Sequence, residues 1–298
     1  MANKPQLYLF LSVDIIDSTA IKYSTDKPID WYSVFTDFYV SFPDEFKTHL
    51  KTEYEYQKLK YSQDNLVVWK YAGDEILFYA EITQKTEILC IVTAFKKTLE
   101  DWYLLPPKEK LDVKGCIWTG QVPFIDRKIE EERSSKFDFI GPSIDCGFRL
   151  GKYSSKEELV VSVEVADQIN GSSSLQSSLY YLKSENLKGV LGKEKYPIFA
   201  LKLDGAKHEE FTYLKTPCDE IKFEEYIKKY YANMNGVFKG KVSRIGKDVP
   251  AYLKEKESLC ESIQVSEIVE QQNAQEIAPG KKGNNKDFKE YTNLLNTT

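Results

Sequence analysis

The chain has 298 residues, a net charge of −5, 42% hydrophobic and 29% charged residues, a composition that suits a soluble globular protein. No bulk positive charge favours nucleic acid or an anionic membrane surface, and no apolar run approaches the roughly 20 residues of a membrane span. Met1 to Gln6 lacks a signal-peptide layout, and five scattered cysteines without a C-x-x-C pair argue against a zinc site or disulfide framework, so the expected compartment is the reducing cytoplasm.

Leu7 to Val13 is an unbroken apolar run that suits a buried central strand, ending in Asp14. A helix is expected from about Trp31, with Val34, Phe35, Phe38 and Phe42 on one face, until Pro43 interrupts it. Leu66 to Tyr71 and Ile76 to Tyr79 read as strands joined by Ala72-Gly73-Asp74-Glu75, a hairpin in which Gly73 supplies the turn. Ile88, Val92, Phe95, Leu99 and Trp102 recur at helical spacing. Val113, Gly115 and Ile117 mark a strand ending at Gly120, and Asp126 to Lys136 reads as a charged loop. Pro142 suits a first helical turn, with the helix running toward Tyr153. A strand at Leu159 to Val163, a short helix at Glu164 to Ile169 and a strand at Tyr196 to Leu203 complete the pattern.

Hairpin-linked and crossover strands are mixed in this order, which predicts an α+β fold of the ferredoxin-like kind, with helices packed on one face of the sheet. The expected organisation is a domain over 1–204, a helical extension over 205–270 and a polar, flexible tail over 271–298.

Asp14 and Asp74 fall at neighbouring strand ends, and adjacent strands lie about 4.8 Å apart. Two carboxylates so placed can share hard cations whose remaining ligands are phosphate oxygens. Taken singly, each aspartate reads as a turn cap. Ser18 and Thr19 can offer hydroxyls and N–H groups to phosphate, or simply cap a helix. Lys70, four residues before Asp74, reads alone as a solvent-facing lysine. Asp145 and Arg149 share one helix face; they form either a weak helical ion pair or a guanidinium presented to a phosphoryl group.

Several motifs together resemble class III nucleotide cyclases. Val13-Asp14-Ile15-Ile16-Asp17-Ser18-Thr19 is similar to the family's D-I-x-x-[SF]-T opening, and Lys70-Tyr71-Ala72-Gly73-Asp74 to its K-x-x-G-D hairpin. Trp118-Thr119-Gly120-Gln121-Val122 resembles the H-T-G-x-V strand end, and Leu187-Lys188-Gly189 the late L-K-G turn. Asp138 to Arg149 keeps the spacing D-x-x-G-x-x-x-N-x-x-x-R, with Asp145 where Asn is usual. The resemblance spans roughly Leu7 to Leu203.

It implies two divalent cations, Mn2+ or Mg2+, held by Asp14, Asp74 and the carbonyl of Ile15. It further implies a nucleoside triphosphate substrate and a head-to-tail homodimer in which Lys70 and Asp138 of one subunit meet the base, Arg149 meets the phosphates, and the metal aspartates come from the other subunit. Lys188 and Lys193 are further triphosphate candidates. Asp145 departs from the family pattern near the ribose.

Within the class, the Gly141 to Arg149 stretch and the lack of a recognisable sensor or membrane domain most resemble the pyrimidine cyclases of Pycsar anti-phage systems. That resemblance implies cyclic CMP or cyclic UMP, acting on a separate effector through the nucleotide rather than by direct contact. Tyr71, Phe137 and Phe139 are candidates to close a one-ring base pocket. The alternatives are an adenylate or guanylate cyclase, a diguanylate cyclase suggested by Ala72-Gly73-Asp74-Glu75 alone, and a silent nucleotide-binding module on the same fold.

Overall fold

The computed structural model describes residues 6–23, 31–104, 111–122, 126–130, 137–188, 190, 195–204 and 216–233, all within one compact unit, Met1–Val249. In chain order the elements are β1 (Gln6–Ile15), α1 (Ser18–Tyr23), α2 (Trp31–Tyr56), β2 (Val67–Ala72), β3 (Glu75–Ile82), α3 (Lys85–Leu104), β4 (Val113–Val122), β5 (Arg127–Glu130) and β6 (Phe137–Ile140). They continue with α4 (Pro142–Leu150), β7 (Glu158–Val161), α5 (Val163–Ile169), β8 (Leu179–Glu185), β9 (Tyr196–Lys202) and α6 (Glu220–Asn233).

A seven-stranded sheet runs β2-β3-β1-β4-β7-β9-β8, and β5 and β6 form a separate ribbon. β1 pairs antiparallel with both β3 and β4, and β2 with β3, which is the ferredoxin-like order expected from the sequence. β4 and β7 form a parallel pair, and β7, β9 and β8 continue the sheet antiparallel.

Side chains alternate across β1, so Leu9, Leu11 and Val13 face one side and Tyr8, Phe10, Ser12 and Asp14 the other. The first side is covered by α2 and α3: Phe46 lies 5.4 Å from Phe78 and 5.0 Å from Phe95 between ring centroids. The second side is covered by the ribbon and α4. Phe139 of β6 sits 5.0 Å from Phe10, and Phe148 of α4 sits 5.7 Å from Trp118. Helices therefore lie on both faces, not one, because α4 folds back over β4 after the ribbon.

Three further differences from the sequence reading have physical causes. α2 continues through Pro43 to Tyr56, since Phe42, Phe46, Leu50 and Tyr54 are all buried along one face. That burial offsets the few kcal/mol that an interior proline costs a helix. The charged stretch after Asp126 is strand rather than loop at Arg127–Glu130, because it pairs with Phe137–Ile140. β8, for which no strand was expected, pairs with β9 through a register irregularity between Tyr181 and Lys183, and that break blurs its alternation.

Of the expected C-terminal extension only 216–233 is described. There Phe223, Ile227 and Tyr231 are buried, and Phe223 meets Phe199 of β9 edge-on at 5.1 Å. The tail over 271–298, Lys193 and Cys260 lie outside the described residues. Cys90, Cys116 and Cys146 are buried free thiols. Among the described residues, no helix is long and apolar enough to cross a membrane.

Candidate active site at the end of the central hairpin

Asp14 is the penultimate residue of β1, and pairing fixes its neighbours: Glu75 on β3 and Lys114 on β4. Paired residues share a face, so Asp14, Glu75 and Lys114 stand side by side on the α4 side of the sheet. Asp74 occupies the two-residue turn between β2 and β3, beside Gly73 at φ 71°. The turn is tied to β1 by Ile15, whose N–H donates to the Asp74 carbonyl at 3.3 Å. α2 holds it from the other side, where the Tyr39 hydroxyl donates to the Gly73 carbonyl and the Tyr39 ring meets Tyr71 at 5.2 Å.

Ser12, Asp14, Asp74, Glu75, Lys114 and Phe148 of α4 line one cleft of about 220 Å3. Asp17, at φ 56°, turns the chain so that α1 begins with Ser18 facing back, and its hydroxyl donates to the Asp74 Oδ2. Ser18 is buried there, whereas Thr19 is exposed. Lys114 Nζ lies 3.2 Å from Asp14 Oδ2. Burial lifts the Asp14 carboxyl above its ordinary value; Lys114 pulls it back and the Asp74 charge adds to the rise. Burial pushes Glu75 further, up to about 7, against a hydrogen bond from Ser12.

The second group of expected residues lies around the ribbon. A bulge in β2 between Val68 and Lys70 interrupts alternation, so Trp69 and Lys70 both aim at the ribbon side. Lys70 Nζ binds both oxygens of Asp138 on β6, at 2.7 and 2.9 Å, and sits 4.2 Å above the Trp69 ring. The Lys70 side chain is 36% exposed and that of Asp138 50%. On α4, Asp145 is exposed, and Arg149 Nη1 donates to the Asp145 carbonyl oxygen at 2.6 Å. Lys70, Asp138, Asp145 and Arg149 thus stand outside the lining of the cleft that holds Asp14 and Asp74. Of the bulky residues expected near a base, Tyr71 is exposed, Phe137 is half-buried against Tyr79 and Phe139 is committed to the core. Lys188 is exposed.

The sequence reading missed Ser12, Glu75 and Lys114. Ser12 precedes Asp14 by two residues on β1 and shares its face, and the strand register brings Glu75 and Lys114 to Asp14 from β3 and β4. Among the described residues, no group of three or more His, Cys, Asp or Glu forms a metal cluster. The donor set nevertheless fits hard cations. Asp14 and Asp74 present carboxylates to one cleft, and their mutual repulsion is what a divalent ion would relieve. Two protein carboxylates leave most coordination positions to phosphate and water, as suits magnesium or manganese.

The sequence matches no protein-family model, and no curated protein matches it significantly. Solved structures do resemble the fold. The guanylate cyclase domain of RhGC from Catenaria anguillulae, solved with GTP, aligns at 13% identity and TM-score 0.48 over 67% of this chain and 98% of its own. The catalytic core of a rhodopsin-guanylyl cyclase with converted specificity, in complex with ATPαS, aligns at 15% identity and TM-score 0.49 over 68% of this chain and 100% of its own. The adenylyl cyclase CyaB of P. aeruginosa aligns at 12% identity and TM-score 0.45 over 66% of this chain and 94% of its own. All three of these neighbours are nucleotide cyclases.

Proposed function

We propose that this chain is a nucleotide cyclase that converts CTP or UTP to the 3′,5′-cyclic monophosphate and pyrophosphate, a messenger for a separate effector in anti-phage defence. The observation that carries the cyclase reading is the cleft in which Asp14 of β1 and Asp74 of the hairpin turn face each other, with Ser18 orienting Asp74. Asp14, Asp74 and the Ile15 carbonyl would hold two divalent cations, which lower the pKa of the ribose 3′-hydroxyl and neutralise phosphoryl charge.

The chain's own groups position the substrate. In the reaction the 3′-oxygen bonds to the α-phosphorus, the bond to pyrophosphate breaks, and the hydroxyl proton passes to water. Arg149 offers a planar guanidinium to the phosphoryl oxygens where charge accumulates. Lys70 and Asp138 carry a donor and an acceptor for the edge of a base; their ion pair is partly exposed, so a base can insert without uncovering a buried charge. This pair and Arg149 lie outside the cleft of Asp14 and Asp74, and in the homodimer that the family resemblance implies they would complete the site from a second subunit. The pyrimidine preference rests on Asp145 in place of the usual Asn, and on the resemblance of the Gly141 to Arg149 stretch to pyrimidine cyclases.

The test is incubation of the purified chain with an equimolar mixture of the four ribonucleoside triphosphates and Mn2+, with products identified by mass spectrometry. Cyclic CMP or cyclic UMP should dominate. Cyclic AMP or cyclic GMP alone would move the chain to the purine cyclases, and no cyclic product would leave a silent nucleotide-binding module.

A further inference from the structure

Helix α4 carries Asp145, Phe148 and Arg149, yet its start has no local cap. Gly141 at the N-cap position offers no side chain, and Pro142 at the first helical position has no N–H. The orphan donors are met instead by Asp126, a residue 17 positions away in sequence and 0% exposed. Its Oδ1 accepts from the Ser143 N–H at 3.0 Å, and its Oδ2 from the Gln121 N–H of β4 at 3.0 Å. The Ser143 hydroxyl and the Ile144 N–H also favour the charged form of this carboxylate. The Asp126 N–H returns to the Gln121 carbonyl at 3.0 Å, closing the clamp on β4. Gly141 at φ +147° lets the chain pass so close that an added Cβ would lie 2.3 Å from Asp126 Oδ1. An anion at a helix N-terminus also meets the positive end of the helix dipole.

We propose that Asp126 is the positioning residue of α4, a remote N-cap that sets where Arg149 stands relative to the rest of the active site. The inference rests on the cyclase reading for its catalytic consequence. Asp126→Asn keeps the shape but turns an acceptor into a donor facing an N–H, so the clamp loses one end. Arg149 acts on charge that develops in the transition state, so its displacement should lower kcat while KM holds.

The experiment uses the full chain labelled with 5-fluorotryptophan. Its four tryptophans give four 19F signals. Trp118 reports on α4, because Gly147 packs against its indole, while Trp102 packs on Phe38 and Phe42 of α2. In Asp126→Asn the Trp118 signal should move and the Trp102 signal stay. Turnover of whichever triphosphate the wild type cyclises should fall about tenfold or more in kcat, with KM and Mn2+ affinity within about twofold. Full turnover in the variant overturns the proposal, as does Mn2+ affinity lost in step with turnover, which marks general loosening. If the wild type cyclises nothing, the functional reading fails, and an unmoved Trp118 signal would separately overturn the capping role. Should Asp126→Asn not fold, Ser143→Ala removes only the hydroxyl donor. It is expected to cost about two- to fivefold in kcat at constant KM, and an unchanged kcat overturns the proposal.

Discussion

Lys114 reaches across from β4 to place its ammonium 3.2 Å from the carboxylate of Asp14, inside the cleft proposed for cations. A fixed positive charge there competes with any metal that Asp14 binds. Two unit charges near 4 Å interact by about 4 kcal/mol at an effective dielectric of 20, and partial exposure reduces this to about 1 kcal/mol. Lys114→Met should therefore tighten Mn2+ binding about fivefold, read by titration calorimetry or by loss of the free Mn2+ resonance signal. Unchanged or weaker binding would show that Lys114 does not compete for this carboxylate.

Asp14→Ala and Asp74→Ala should each lower cyclisation by at least about a hundredfold while leaving the circular dichroism spectrum unchanged. Each carboxylate has one side-chain partner, Lys114 for Asp14 and Ser18 for Asp74, and the Asp74 backbone carbonyl that ties the turn to β1 survives the substitution, so the fold should hold. Normal turnover by either purified variant would remove the cation assignment.

A site shared between subunits makes a stronger demand. Asp74→Ala and Arg149→Ala should each be inactive alone, yet a re-equilibrated mixture should recover up to about a quarter of wild-type activity. Half of the dimers are then mixed, and each has one intact site of two. Absence of recovery, with subunit exchange shown by differential tagging, would place Arg149 and Asp74 in separate machinery.

The elements that the sequence shows plainly are those with a local, repeating signal. β1 is an apolar run, α3 has helical periodicity and the β2–β3 hairpin has Gly73 in its turn. What stays hidden depends on partners distant in the chain. Arg127–Glu130 is exposed along its whole length, with Ile129 its one apolar residue, and becomes a strand only because Phe137–Ile140 pairs with it. Asp14 and Asp74 stand out by motif, but Lys114 and Glu75 join them only through the antiparallel register of β1. Asp126, read from sequence as part of a charged loop, is buried because two backbone N–H groups from separate elements converge on it.

The seat of α4 on the sheet is tight enough to test by a single methyl group. A Cβ at Gly147 would lie 2.2 Å from two atoms of the Trp118 indole, a fully enclosed side chain stacked on Phe10. Neither the ring nor the helix can yield cheaply in a packed core. Gly147→Ala should destabilise the fold by about 1–3 kcal/mol or more, seen as a lower midpoint in urea at unchanged slope. A midpoint equal to wild type would mean that α4 is not seated on Trp118.

Glu164, near the start of α5, accepts a hydrogen bond from the Tyr196 hydroxyl at 3.0 Å, and that same hydroxyl oxygen receives the Val163 N–H at 3.1 Å. Burial raises the Glu164 carboxyl above its ordinary value, against hydrogen bonds from Ser162, its own backbone N–H and Tyr196. The folded state therefore holds this proton more tightly than the unfolded chain. Below the unfolded value of about 4.5 the group is neutral in both states and costs nothing. As pH rises past that value toward the folded one, ionisation favours the unfolded chain and stability is lost. Glu164→Gln keeps an acceptor for Tyr196 and removes the charge. Thermal midpoints of wild type and variant should agree near pH 4 and diverge above it, with the variant the more stable at pH 7. A wild type more stable than Glu164→Gln at pH 7, by a margin absent at pH 4, would mean that the ionised carboxylate strengthens the bond to Tyr196 by more than its desolvation costs.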